Sequence, residues 1–315
     1  MTITSSDQSS APPRPVPVPA RSPARLRTAP PWWFTAPAMA LFAFVVLIPS
    51  ARGVWYAFTD WDGLDPSFAF IGLDNFRELT RDPDARQAIG NTLIIAVAIT
   101  IIQNGFGLLL ALGVNTVIKS RNVLRVLLFA PAVITPIVTA YLWRNLLGPG
   151  GAVNSLLGAV GLDSWQRNWL GDPGLALWSV VGVIVWQFAG YSMVIFLAGL
   201  QSVPREVYES ARIDGAGAVQ IALRIKTPMI ASALVLATLF TIMGTLQFFT
   251  EPLILQPLNP GAITQHYTPN VYAYNQAFSF QQYNYSAAIS FLLGAVVFVG
   301  SYIFLFATRK RSALR

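Results

Sequence analysis

The chain has 315 residues, 54% hydrophobic and 11% charged, with a mean hydropathy of +0.53 and a formal charge of +7. Soluble domains average about 25% charged residues, so this composition belongs in a membrane. Without cysteine there are no disulfides or cysteine metal sites, a lone His266 makes no histidine cluster, and Lys119, Lys226 and Lys310 all lack the glycine-rich lead of a phosphate-binding loop.

In chain order, residues 1–31 carry Pro12, Pro13, Pro15, Pro17, Pro19, Pro23, Pro30 and Pro31 among Arg14, Arg21, Arg25 and Arg27. Such a segment cannot bury enough apolar surface to fold, which predicts a disordered cytoplasmic arm. The first apolar run opens on Trp32-Trp33, a pair suited to the membrane interface, and continues to about Phe58. A cleavable signal peptide is the rival reading, since small residues surround Ser50-Ala51. The run continues through Val54 to Phe58, enough to cross roughly 30 Å of hydrocarbon, and this favours a retained helix bent at Pro49 with Arg52 reaching to the interface.

Further runs at roughly 88–116, 123–146, 175–200, 229–250 and 286–307 bring the spans to six, and 59–87, 147–174 and 251–285 are the largest connections. On the second run Gln103, Gly107, Ala111 and Asn115 share one helix face, a mix of small residues and amides that suits helix packing. On the fourth, Gln187 and Tyr191 share a face beside Trp186, flanked by Gly182 and Gly190. The fifth carries Thr238, Thr241, Thr245 and Phe248 on one stripe, close to Gln247 and Phe249. Packing is the ordinary role of each such residue taken singly. As a set, Trp186, Gln187, Tyr191, Thr241, Thr245, Gln247 and Phe248 supply uncharged donors, acceptors and aromatic faces, which suit a neutral, hydroxyl-rich molecule, and some are expected to line a path. No acidic or basic side chain falls in mid-span. In the outer connections His266 and the carboxylates Asp60, Asp62 and Asp65 read as solvated; the latter lack the glycine and distal glutamate of a calcium loop.

The basic residues sort by side. With the N-terminus inside, the inner segments hold Arg14, Arg21, Arg25, Arg27, Lys119, Arg121, Arg125, Arg205, Arg212, Arg224, Lys226, Arg309, Lys310, Arg311 and Arg315, 15 of the 21. Arg52, Arg77, Arg81, Arg86, Arg144 and Arg167 stay outside. This asymmetry puts both termini, and the segment 201–228, in the cytoplasm.

That segment, between the fourth and fifth runs, is neither greasy nor acidic. Ser202 reads as an N-cap, Pro204 suits a first helical turn, Glu206 to Arg212 favours helix, and Asp214-Gly215 stops it, so two short helices break at a glycine turn. Glu209-Ser210-Ala211, Asp214-Gly215-Ala216, Ile225 and Pro228 resemble, in identity and spacing, the cytoplasmic coupling loop (EAA loop) of permease subunits in binding-protein-dependent ABC importers. Ala222 replaces a usual aromatic and Thr227 a usual leucine. Phe58-Thr59-Asp60-Trp61 and Phe70-Ile71-Gly72-Leu73-Asp74-Asn75-Phe76 resemble the first outer loop of the carbohydrate-uptake class (maltose/glycerol-phosphate type), and Asn91-Thr92 opens the second span as it does there. Gln256 to Gly261 stands in place of that class's glycine-rich turn.

The resemblance implies an all-α polytopic membrane protein with six transmembrane helices: an arm (1–31), a permease domain (32–308) containing the coupling loop, and a basic tail (309–315). It implies a multi-pass protein of the bacterial inner membrane that moves a sugar delivered by an extracytoplasmic binding protein. The loop would dock into a cleft on a separate ABC ATPase dimer, with Glu209 fixing it by polar contacts and Gly215 allowing a left-handed turn. ATP and Mg would sit on that dimer, this chain holding no cofactor, and a second homologous permease would share the path. An ABC permease for a non-sugar solute fits the same loop. An ion-coupled secondary transporter would want ionisable groups in mid-span, and a membrane enzyme lacks its nucleophile and metal motifs. Reporter fusions after Arg125 and Arg212 are expected to read cytoplasmic, and fusions near Asp74 and His266 external; an external signal at Arg212 would overturn the orientation.

Overall fold

The structure, a computed structural model, describes residues 32–116 and 119–312; the expected arm and the last three residues of the tail lie outside the described residues. The chain divides into two units after Pro49. In the first, Trp32–Phe34 forms a 3-10 turn, and the helix that begins at Ala36 widens into a π-turn at Ala43–Leu47. Pro49 has no N–H to offer the carbonyl four residues back, and the wider turn just before it absorbs the missing bond. The same pairing recurs in the second unit, where a π-turn at Ala222–Lys226 precedes Pro228.

The helices in chain order are α1 (Ala36–Tyr56), α2 (Asp74–Arg81), α3 (Pro83–Val114), α4 (Arg121–Phe129), α5 (Pro136–Leu147), α6 (Ala152–Ala159), α7 (Pro173–Gln201), α8 (Arg205–Ile213), α9 (Ala218–Ile221), α10 (Ala231–Leu246), α11 (Thr250–Leu255), α12 (Pro269–Phe278) and α13 (Tyr283–Ser312). Among the described residues five stretches are long and apolar enough to cross a membrane: α1, α3, α7, Ala231–Leu255 and Tyr283–Phe306. A bent pair, Arg121–Val133 with Pro136–Ala159, makes six if counted as one span. This is the all-α, multi-pass organisation that the hydropathy implies.

The third run is not the continuous helix expected over 123–146. Its two halves meet at 97°. Pro136 lacks an amide and disfavours helical geometry in the residue before it, and Ile134 and Thr135 are extended, with ψ of 134° and 147°. The carbonyl freed at Ile134 accepts a hydrogen bond from the Gln187 amide of α7 at 2.9 Å.

The core of the second unit is the crossing of α3 with α7. A β-carbon on Gly107 would come within 2.6 Å of the Ser192 β-carbon, so glycine there sets the approach of the two backbones. Of the expected packing stripe Gln103, Gly107, Ala111 and Asn115, the first three are buried and Asn115 is half-buried. At this crossing Gln103 donates to Ser192 Oγ at 3.0 Å and Ser192 donates to Asn104 Oδ1 at 3.2 Å, while both amides reach Thr241 Oγ1 of α10 at 3.4 Å. The knot binds three spans with uncharged groups. Towards the expected outer side, Asp82 caps α3 through the Asp84 N–H and accepts the hydroxyls of Tyr272 on α12 and Tyr285 on α13. Burial disfavours the Asp82 charge, but these donors outweigh it and hold the carboxyl below its usual range. The tie is therefore complete above the ordinary carboxylate pKa and lost as pH falls through the lowered one. His266, expected to be solvated, is partly covered, with Nδ1 3.5 Å from the Asp84 carboxylate.

Where α7 crosses α4, a β-carbon on Gly190 would overlap the Leu128 carbonyl, whereas nothing lies within 4 Å of one on Gly182. Gly190→Ala is expected to destabilise the chain by about 1–3 kcal/mol through overpacking, and Gly182→Ala to be neutral. Thermal unfolding of the detergent-solubilised protein checks the contrast; equal midpoints for the two variants would contradict the packing.

Candidate functional site

Two features stand apart from the packed core: the knob between α7 and α10, and a cavity between the spans. The knob begins at Arg205, with Pro204 in the N-cap position; Ser202, expected to be the cap, instead closes α7 by donating to the Gly199 carbonyl at 2.8 Å. α8 ends in a Schellman motif, with Gly215 N–H bonded to Arg212 O at 3.1 Å and Ala216 N–H to Ala211 O at 2.9 Å. Gly215 occupies the left-handed position with φ 82°. The chain then turns into α9, the π-turn and Thr227–Met229.

What anchors the knob is Tyr208, not Glu209. Tyr208 packs with Leu200, Val203 and Ile230, and Lys226 Nζ lies 4.8 Å from the centre of its ring. Burial, with the like charge of Arg212 added, lowers the Lys226 pKa, and burial raises that of the Tyr208 hydroxyl. Glu209 is exposed and has no hydrogen bond or ion pair among the described residues. Of the motif positions, Glu209, Ser210, Asp214 and Gly215 are exposed, Ala216, Ile225 and Pro228 are half-buried, and Ala211 is buried against the chain. Ile213, 86% exposed, with Val219 and Leu223, adds apolar surface to the outward face. An exposed surface that offers apolar side chains beside polar ones suits docking to a partner.

The second feature is a cavity of about 430 Å³. Gln103 of α3, Pro136 at the start of α5, Ile184, Phe188 and Tyr191 of α7, and Phe240, Thr241, Gly244 and Thr245 of α10 line it, together with Gln247 to Glu251. These last five lie where the fifth span breaks: α10 ends at Leu246, Phe249 has φ −142°, and α11 restarts at Thr250. The break is stitched from outside the span, because Thr268 donates to the Phe248 carbonyl at 3.0 Å and Asn270 to the Leu246 carbonyl at 3.3 Å.

Of the seven residues proposed from the sequence for a path, Tyr191, Thr241, Thr245, Gln247 and Phe248 line this cavity. Trp186 and Gln187 do not. The cavity face of α7 is the 184, 188, 191 stripe. Gln187 lies on the neighbouring stripe with Gly190, fully buried against the broken third span, and Trp186 meets Trp143 edge-on at 5.3 Å. Sequence reasoning missed Glu251. It was placed in an outer connection beyond a run ending at 250, but Ala231–Leu255 forms one candidate span, so a carboxylate does lie within the apolar stretches. Its signal was present: between Lys226 and Arg309, Glu251 is the only Asp, Glu, Lys or Arg.

The family model for the "binding-protein-dependent transport system inner membrane component" matches residues 103–311, which include α7, the knob and the cavity-lining break. The chain belongs to this permease family. It is 35% identical over 263 residues to the "probable ABC transporter permease protein YurN" of Bacillus subtilis, covering 82% of this chain and 89% of that one. The "diacetylchitobiose uptake system permease protein NgcF" of Streptomyces coelicolor is 31% identical over 276 residues, 83% of this chain and 77% of that one. The "lactose transport system permease protein LacF" of Rhizobium radiobacter is 30% identical over 282 residues, 89% and 94%. The structure is also similar to a chain of a bacterial ABC transporter involved in the import of the acidic polysaccharide alginate. The TM-score is 0.77 at 25% identity, over 89% of this chain and 96% of that one.

If the exposed knob is the permease's docking element, Gly215→Val, which forces a β-branched residue into positive φ at a cost of about 1 kcal/mol or more, and Glu209→Lys, which reverses an outward charge, leave insertion intact. Both are expected to reduce co-purification of the ATPase or sugar uptake by tenfold or more. Uptake at the wild-type rate in both variants would make the loop a passive connector.

Proposed function

We propose that this permease is the transmembrane subunit of an ATP-driven sugar importer, and that the cavity between α3, α7 and α10 is part of its sugar path. The cavity chemistry carries the reading: Gln103, Tyr191, Thr241, Thr245 and Gln247 bring amide and hydroxyl side chains, and Phe248 and Phe249 bring rings, to the wall of a space large enough for a small glycan. Hydroxyl groups exchange hydrogen bonds with such a lining while the apolar face of a sugar ring lies on an aromatic. The lactose, diacetylchitobiose and alginate systems to which the chain is similar support a carbohydrate cargo over another solute.

In this reading an extracytoplasmic binding protein delivers the sugar, a second homologous permease completes the path, and a separate ABC ATPase dimer carries ATP and Mg and receives the knob. Both termini lie in the cytoplasm of a bacterial cell, as the basic-residue asymmetry directs. The docking residues are Glu209, Ser210, Ala211, Asp214, Gly215, Ala216, Ile225 and Pro228, with the outward subset making contact and Ala211 seating the helix. ATPase closure would draw the knobs together and turn the spans, and a ligand biases that equilibrium only by its different affinity for the two states.

Gln247 tests the path directly, since it is exposed and faces the cavity. Gln247→Leu is expected to lower sugar uptake by vesicles bearing the full complex roughly tenfold, the order of one lost hydrogen bond to a bound polar ligand, while the ATPase still co-purifies. Competition among labelled sugars, amino acids and phosphate esters checks the cargo. High-affinity import of an amino acid that no sugar competes for would overturn it.

A further inference from the structure

Glu251 is the one charged side chain on the cavity wall. Only 6% of the residue is exposed, and no hydrogen bond or ion pair from another side chain reaches its carboxylate among the described residues. Among the described residues no Lys or Arg lines the cavity, and none occurs in the sequence between Lys226 and Arg309. A carboxylate removed from water is costly unless donors meet it. Its own backbone N–H is the one donor the chain brings to it among the described residues, and any further donors must come from what enters the cavity.

We propose that Glu251 is a specificity-determining residue that accepts a pair of hydroxyls from a neutral oligosaccharide and excludes acidic sugars. The inference rests on the sugar-path reading and deepens it. An ionised carboxylate is acceptor-only, with two oxygens that take two parallel donors, and bonds to it are stronger than those to the neutral amides around it. Adjacent hydroxyls of a pyranose supply donors at that spacing. A uronate brings a second negative charge beside Glu251, where no Lys or Arg lines the wall among the described residues, and like charges at close range repel. The structural neighbour imports an acidic polysaccharide; the Glu251 carboxylate, on a wall without Lys or Arg among the described residues, assigns this chain the opposite charge preference.

The test is saturation-transfer NMR binding on the purified importer complex without its binding protein, using lactose, diacetylchitobiose and maltotriose as neutral probes and digalacturonate as the anionic one. The wild type is expected to bind at least one neutral probe and to bind digalacturonate at least tenfold more weakly. In Glu251→Gln the neutral probe weakens by tenfold or more and the discrimination against digalacturonate narrows. Co-purification of the ATPase shows whether the variant assembles; if it does not, Glu251→Asp and the wild-type charge preference decide. Digalacturonate binding to the wild type as tightly as the neutral probes, or undiminished neutral binding in Glu251→Gln, would overturn the proposal. Neutral sugars weakened by Gln247→Leu but not by Glu251→Gln would defeat this inference alone. A complex that binds no sugar of either charge would defeat the path reading and this inference with it.

Discussion

Every backbone carbonyl and N–H inside a bilayer must find a partner within the protein, and the architecture of this permease follows from how it meets that demand where its helices stop. α3 and α7 run unbroken and satisfy themselves. The third and fifth spans do not. The Ile134 carbonyl is taken by Gln187, and the Leu246 and Phe248 carbonyls by Asn270 and Thr268. Each break is held by a side chain from another element, so neither can form unless the surrounding helices are in place. Both breaks also open on the same space, Pro136 on one side and Gln247 to Glu251 on the other. Irregular backbone at membrane depth is tolerated where it is buried in protein or lines a cavity, and here it does both.

The knob and the cavity share two helices. α7 ends at Gln201 and α10 begins at Ala231, so the knob is the segment that joins them. Leu200, Val203, Tyr208 and Ile230 belong to one apolar cluster, and a β-carbon on Gly199 would lie 3.0 Å from that of Ala233, so the two helix ends are in close contact. Further along, the same helices carry Tyr191, Thr241 and Thr245 on the cavity wall. Packed interiors transmit displacement because they have little free volume to absorb it. In the proposed reading, a force on the knob would be passed through these packed helix ends to the cavity wall, as coupling of ATPase closure to access requires.

Hydropathy and the coupling motif carry most of the fold in the sequence, since span length and composition respond to the bilayer alone. The broken third span was hidden because Pro131 and Pro136 sit in an apolar stretch of ordinary length, and only tertiary contacts decide whether such a proline kinks a helix or parts it. The lining of the cavity was half legible for a related reason. A four-residue step puts Gln187 and Tyr191 near one another on α7, but the cavity stripe passes through 184, 188 and 191, and a rotation of one residue turns Gln187 to the break at Ile134. Glu209 was expected to brace the knob because it is polar and sits at a motif position; Tyr208 braces it, because fixing a helix on a membrane span takes buried area.

Glu251 would by itself suit the rival class of transporter, since an intramembrane carboxylate is the common mark of ion coupling. Its surroundings point elsewhere. A proton relay passes between titratable groups. The cavity wall offers Glu251 only amides, threonine hydroxyls, aromatic rings and the Tyr191 phenol, while His266 lies against Asp84 at the N-terminal end of α3. A lone carboxylate in a wall of neutral donors and acceptors has nowhere to pass a proton, but it can hold a pair of hydroxyls more firmly than any neutral neighbour. In the proposed reading energy for transport would enter from outside the cavity through the exposed knob, which joins α7 and α10 of the cavity wall. In that reading the carboxylate would choose the cargo and the knob would move the path.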